Sequence, residues 1–178
     1  MSNPDLGITF SSCGPVQLCG YIDASYNCHK DGKGQSGVCF TLGLESAAFY
    51  SFSRKQQLVS HASTEAELQA VDYSVMEIEW LRYVLEDLGY QQYGPTVIFQ
   101  DNKSTIHLAA NGYTQRTKHY VMRYHYVLDA VANGTIELQY LSTTEHTADI
   151  LTKAPTNRKL FFYLRSKLMN CLNTRSGF

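Results

Sequence analysis

The sequence predicts an α/β fold, a five-stranded mixed sheet flanked by helices, and three observations carry that prediction. Three strand-like runs follow one another with turns short enough for hairpins. Two further runs of the same kind return only after helical stretches. The longest stretch between them repeats its apolar residues at helical spacing. A meander followed by strands that return through helices gives a sheet of mixed direction with helices on its faces.

Each element has its own warrant. Residues 1–15 hold Pro4, Gly7, Gly14 and Pro15 with little pattern and read as a leader or linker. The first three strands are expected at Gln17–Ala24, Ser36–Leu42 and Ala47–Ser53, with Asp31-Gly32 and Gly43 marking the turns. Ser60 or Ser63 can cap the long helix, whose stripe runs through Leu68, Val71, Val75, Ile78, Leu81, Leu85 and Leu88 to a stop at Gly89. The fourth strand is expected at Thr96–Gln100, then a short helix at Ser104–Ala110 and another from Tyr120 to Ala132. Asn133-Gly134 stops the latter, and Thr135–Leu141 forms the fifth strand. A short helix carrying Asp149 is broken at Lys153-Ala154-Pro155, and Leu160–Leu172 reads as a last amphipathic helix. The organisation is therefore a leader at 1–15, a domain at 16–155 and a basic helical tail at 156–178.

Composition bounds the function. The chain has 178 residues, 44% hydrophobic and 17% charged, which suits one globular domain rather than a disordered chain. No apolar run is long enough to span a membrane, and no signal peptide is evident. Five scattered cysteines without metal spacing point to reduced thiols in a cytosolic setting. The net charge of −1 conceals an asymmetry: residues 1–101 carry twelve acids and five Lys/Arg, residues 102–178 four acids and ten. A polyanion is therefore expected along the C-terminal half, with metal neutralising part of the acidic half. For the tail itself the alternative is a solvated basic helix whose Leu160, Phe161, Leu164 and Leu168 pack on the core.

Four carboxylates stand where a charge looks out of place. Asp23 and Asp101 end apolar runs, Glu67 lies on the inner stripe of the long helix, and Asp149 starts a short helix. Clustered carboxylates repel and protonate unless cations neutralise them. Four of them on separate elements are what a pair of divalent ions at a phosphodiester would need.

Six strings extend this reading: Tyr21-Ile22-Asp23-Ala24-Ser25, Ser63-Thr64-Glu65-Ala66-Glu67-Leu68, Phe99-Gln100-Asp101-Asn102-Lys103-Ser104, Arg116-Thr117-Lys118-His119, Arg123-Tyr124-His125 and Ala148-Asp149-Ile150-Leu151-Thr152-Lys153. In this order and spacing, from about residue 18 to 155, the chain resembles the type I ribonuclease H domain of copia-type long-terminal-repeat retrotransposon Pol polyproteins. The resemblance implies a ribonuclease H-like fold whose second strand runs against the others. It also implies catalytic and metal-ligating roles for Asp23, Glu67, Asp101 and Asp149. Glu67 is preferred to Glu65 because Leu68-Gln69-Ala70 follows it, leaving Glu65 to the helix dipole.

The implied chemistry is cleavage of the RNA strand of RNA/DNA hybrids with two Mg²⁺ ions, Mn²⁺ substituting, giving a 5′-phosphate and a 3′-hydroxyl. Implied partners are the hybrid and a fused or associated reverse transcriptase domain, in cytoplasmic virus-like particles. Ser25, Asn102, Lys118 and Arg123 are candidate substrate contacts, with a polar helix entry as the other reading of the last two. The Ser53–Gln57 segment reads either as a hybrid-contacting loop or as a solvated turn. The histidine-bearing loop of cellular ribonucleases H has no counterpart here, since only residues 142–147 join the fifth strand to the Ala148-Asp149 segment. His146 is then a shifted proton carrier or an ordinary residue at a helix start. A non-catalytic ribonuclease H-fold binding or connection module is the alternative function. An integrase-type nuclease is disfavoured by the Asp149 string.

Overall fold

The structure is a computed structural model that describes residues 7–10, 14–112, 121–153 and 157–170, with the side chains of 121–123 left aside. Its elements are β1 (Leu18–Ser25), β2 (Gln35–Leu42), β3 (Ala48–Lys55), α1 (Ser63–Asp87), β4 (Thr96–Gln100), α2 (Lys103–Asn111), α3 (Val121–Ala132), β5 (Ile136–Tyr140), α4 (Asp149–Thr152) and α5 (Arg158–Met169). A 3-10 turn at Thr143–Glu145 precedes α4. The strands form one sheet in the order β3-β2-β1-β4-β5. β2 is antiparallel to both β1 and β3, whereas β1, β4 and β5 are mutually parallel. This is the mixed sheet that the sequence predicts, with its second strand reversed.

Alternation along the central strand separates two cores. Leu18 and Ile22 of β1 face α1 and α3, joining Val38, Phe40, Val71, Val75, Ile78, Ile98, Val127 and Ile136. Tyr21, between them, faces the opposite side with Cys39 and Ala148, and with the partly buried Phe99, Leu151 and Leu168. So α1, α2 and α3 cover one face, and α4 and α5 cover the other. Each large aliphatic side chain sealed in this way contributes about 1.5–3 kcal/mol.

The start of α1 departs from expectation. Ser63 is already its first helical residue and Ala62 occupies the cap. The amide just before the cap is met from inside the helix, because Glu65 Oε2 accepts from His61 N at 2.6 Å. Glu65 thus has the structural place expected for it. Gly89 ends the helix with φ +85°, which lets Gly89 N donate to Glu86 O and Tyr90 N to Leu85 O.

Two segments differ more. The stretch expected as a loop or turn after the third strand is strand to Lys55, and Gln56 is then buried. Gln56 donates to Ser36 Oγ at 3.0 Å and Ala66 O at 2.8 Å, tying β2 to the start of α1. His146 is neither at a helix start nor exposed. It follows the 3-10 turn, is fully buried, and bonds through Nε2 to Phe99 O at 3.0 Å, with its ring edge-on to Tyr21.

Candidate active site

The parallel register of β1 and β4 places Tyr21 opposite Phe99. Asp23 and Asp101 each lie two residues further on, so they stand side by side at the same end of the sheet, one strand spacing apart. α1 brings Glu67 to that end from one face, and α4 brings Asp149 from the other. Carboxylate oxygens of Asp23, Glu67 and Asp101 all lie within 4.8 Å of one another. Asp23, Glu67 and Asp149 are buried and Asp101 is half-buried.

Each carboxylate is held by a neighbour that sequence reasoning did not single out. Gln100 has the widest reach: its Nε2 donates to Glu67 Oε2 at 3.2 Å, while its Oε1 accepts from the amides of Asp101 and Asn102 at 2.9 and 3.2 Å. Thr143 Oγ1 donates to Asp101 Oδ2 at 2.6 Å. Thr152 Oγ1 donates to Asp23 Oδ2. The Asp149 carboxylate falls outside the close group and is paired with Lys153 Nζ at 2.5 Å. The only sequence signal for Gln100, Thr152 and Lys153 was their membership of the six strings.

One glycine permits this arrangement. Gly37 is the β2 partner of Asp23. A Cβ there would lie 2.7 Å from Thr152 Cγ2, 2.8 Å from Leu151 Cβ and 2.9 Å from Ala148 O. Only a residue without a side chain lets α4 approach the sheet closely enough for Thr152 to reach Asp23.

The electrostatics follow from crowding in a dry place. Burial pushes the Glu67 carboxyl well above its usual range, and the charges of Asp23 and Asp101 push it further; the Gln100 bond and Lys153 only partly oppose this. Asp23 is raised chiefly by burial, against the Thr152 hydrogen bond and the Lys153 charge. Hard oxygen donors, short of positive charge and gathered from three elements, fit a divalent cation.

The remaining candidates are placed as follows. Ser25 ends β1, half-exposed. Asn102 caps α2, its side-chain oxygen accepting from Ser104 N and Thr105 N at 3.0 and 3.1 Å. Lys118 lies outside the described residues, as does the side chain of Arg123. An open cleft of about 630 Å³ runs beside the site, lined by Cys28, Gln35, Ser53, Thr152, Lys153 and Phe161 among others.

No family model matches the chain. It is 32% identical over 167 residues to the retrovirus-related Pol polyprotein from transposon RE1 of Arabidopsis thaliana, covering 93% of this chain and 11% of the polyprotein. It is 34% identical over 154 residues to that from transposon TNT 1-94 of Nicotiana tabacum, covering 85% of this chain and 11% of the polyprotein. The chain thus spans about a tenth of these relatives. Among solved structures it superimposes on LC11-RNase H1, isolated from compost by a metagenomic approach, with a TM-score of 0.57 at 13% identity, covering 76% of this chain and 92% of that one. The same enzyme in complex with an RNA/DNA hybrid gives 0.54 at 12% identity, with 76% and 94% covered. A foamy viral protease-reverse transcriptase in complex with double-stranded DNA gives 0.55 at 17%, with 77% and 92% covered.

The chain is a ribonuclease H-fold domain of a retrovirus-related Pol polyprotein. In this domain the four carboxylates of the resemblance fall at one end of the sheet, three of them in a single close group. No helix among the described residues is long and apolar enough to cross a membrane.

Proposed function

We propose that this domain is a divalent-metal-dependent endoribonuclease that cuts the RNA strand of RNA/DNA hybrids during retrotransposon reverse transcription. The observation that carries the reading is the close group of Asp23, Glu67 and Asp101 beside the buried Asp149, on a ribonuclease H fold. One structural neighbour of this fold is known in complex with an RNA/DNA hybrid.

In this reading Asp23, Glu67, Asp101 and Asp149 hold two Mg²⁺ ions, with Mn²⁺ as a substitute. When bound, the ions supply an activated water and stabilise the leaving oxygen, giving a 5′-phosphate and a 3′-hydroxyl. The chain's own residues set up that chemistry. Thr152, Gln100 and Thr143 restrict the rotamers of Asp23, Glu67 and Asp101, so the donors converge before substrate arrives. Ser25, at the end of β1, contacts the substrate backbone, as do Lys118 and Arg123. Asn102 contributes through its amide nitrogen, since its oxygen caps α2. His146 has no room to shuttle protons at the surface, and its role is to brace the Phe99 carbonyl beneath the site. The domain comprises residues 16–155, preceded by a leader at 1–15 and followed by a basic segment at 156–178 whose α5 packs on it. It acts fused to or associated with a reverse transcriptase, in cytoplasmic virus-like particles.

The test is cleavage of a labelled RNA/DNA hybrid with Mg²⁺, with DNA duplex as control, by wild type and Asp23→Asn. Wild type should release 5′-phosphorylated RNA fragments and leave the DNA duplex intact. Asp23→Asn should lose cleavage by at least about a thousandfold while keeping its fold by circular dichroism. Near-normal turnover in that variant would sink the metal assignment. Hybrid binding by wild type without cleavage would make this a non-catalytic module instead.

A further inference from the structure

The carboxylate end of the sheet already contains a cation, and it belongs to the chain. Lys153 follows α4 in extended conformation, with φ −148° and ψ 151°. This turn of the backbone sends its side chain back one helical turn, to Asp149 Oδ1 at 2.5 Å. The Asp149 side chain is only 4% exposed, whereas that of Lys153 is 50% exposed and borders the open cleft. The anchor is therefore fixed and the cation free to leave.

Thr152 beside Lys153 holds Asp23, so two adjacent residues occupy two of the four carboxylates.

We propose that Lys153 is a tethered counter-cation: in the metal-free protein its ammonium occupies the position at Asp149 that a divalent ion takes, and it swings into the cleft when the ion binds. This rests on the metal-dependent reading above. The physical reason is charge balance. Four carboxylates in a confined site repel, and a lysine on a flexible stem relieves that repulsion reversibly, whereas a buried, rigid arginine would remain. The consequence is that ion uptake at Asp149 is competitive with an internal cation. The Asp149-dependent ion is then the weaker of the two bound, and Lys153 is released into the cleft only once that ion is present.

The experiment is calorimetric titration of Mg²⁺ into the full chain, without nucleic acid, as wild type, Lys153→Met, Lys153→Ala, Lys153→Arg, Asp149→Asn and Asp23→Asn. Removing the competing ammonium should tighten the Asp149-dependent step by about three- to tenfold in the Met and Ala variants. Lys153→Arg should stay at or below wild-type affinity, and Asp149→Asn should lose the step. The Met and Ala variants should also melt at lower temperature than wild type in chelator and recover that loss in Mg²⁺. Unchanged or weaker Mg²⁺ affinity in both, with the Asp23-dependent step intact, overturns the counter-cation role and leaves the metal reading standing. If wild type takes up no Mg²⁺ that Asp23→Asn abolishes, the metal reading itself fails and the proposal falls with it. Two neutral variants of different bulk keep the result readable if one of them does not fold.

Discussion

A buried glutamate surrounded by aspartates is an unstable arrangement without cations, and Glu67 shows the cost residue by residue. Burial, then the charges of Asp23 and Asp101, raise its folded-state pKa well above the ordinary glutamate value of 4.5. A group raised in this way binds its proton more tightly folded than unfolded. Its penalty is therefore fully present above the folded pKa and disappears as pH falls through that value towards 4.5. The metal-free protein should gain stability on going from neutrality to about pH 5, on the order of 1.4 kcal/mol for each pH unit over which only the folded state holds the proton. Chemical denaturation in chelator measures this slope. Glu67→Gln should flatten it, raise the neutral-pH midpoint and abolish hybrid cleavage. Glu65→Gln should leave the slope and cleavage alone, because Glu65 serves the amide of His61. The reverse ranking of the two variants would mean that the helix register assigned to the site is wrong.

Among the elements, α5 carries the clearest conflict between a packing and a binding role. Leu164 is fully buried, Leu168 packs on the core of Tyr21, Cys39 and Ala148, and Asn157 caps the helix by accepting from Lys159 N and Leu160 N. The far end is clasped as well: Asn170 Nδ2 donates to Thr9 O at 3.1 Å and Glu45 O at 2.7 Å. α5 also bonds the segment before α4, through Lys167 Nζ to Glu145 Oε2 at 2.7 Å. The helix is thus seated on the same face as α4, and Leu164→Ala should destabilise the domain by about 2–3 kcal/mol. For a chain of this size that is a fall of roughly 5–10 °C in melting temperature, read by calorimetry. A shift under about 1 °C would show that α5 is not part of the cooperative unit.

On the scale of the whole molecule, the charge asymmetry acquires a direction. Phe161 of α5, in the basic C-terminal half, lines the same cleft as Thr152 and Lys153. The charges on α5 are not equivalent. Lys167 is spent on Glu145, and Arg165 sits over the Phe162 ring at 4.7 Å. Arg158 and Lys159 are exposed at the start of the helix, with Arg158 5.3 Å from the Phe162 ring centre. Neutralising Arg158 and Lys159 together should raise KM for hybrid, leave kcat nearly unchanged, and reduce the salt slope of binding by about one to two. An unchanged slope would assign α5 to packing alone.

The sequence by itself determined the order of the elements and the four acidic positions, while the reversed second strand was what its family resemblance implied. Those signals are local: apolar alternation, helical spacing, turn glycines, and a charge where either pattern demands an apolar residue. The resemblance also picked Glu67 over Glu65, because Leu68-Gln69-Ala70 follows it. What only the tertiary structure decided is how each carboxylate is held. Gln100 serves Glu67 because an alternate-face residue of β4 points at α1. Thr152 reaches Asp23 across a separation of 129 positions because Gly37 leaves room for α4. Lys153 turns back on Asp149 because the chain leaves α4 extended. Cap choice at α1, burial of Gln56 and burial of His146 belong to the same class. Hydrogen-bond and charge partners between distant segments depend on register and on how closely two backbones approach, and packing of the whole chain settles both.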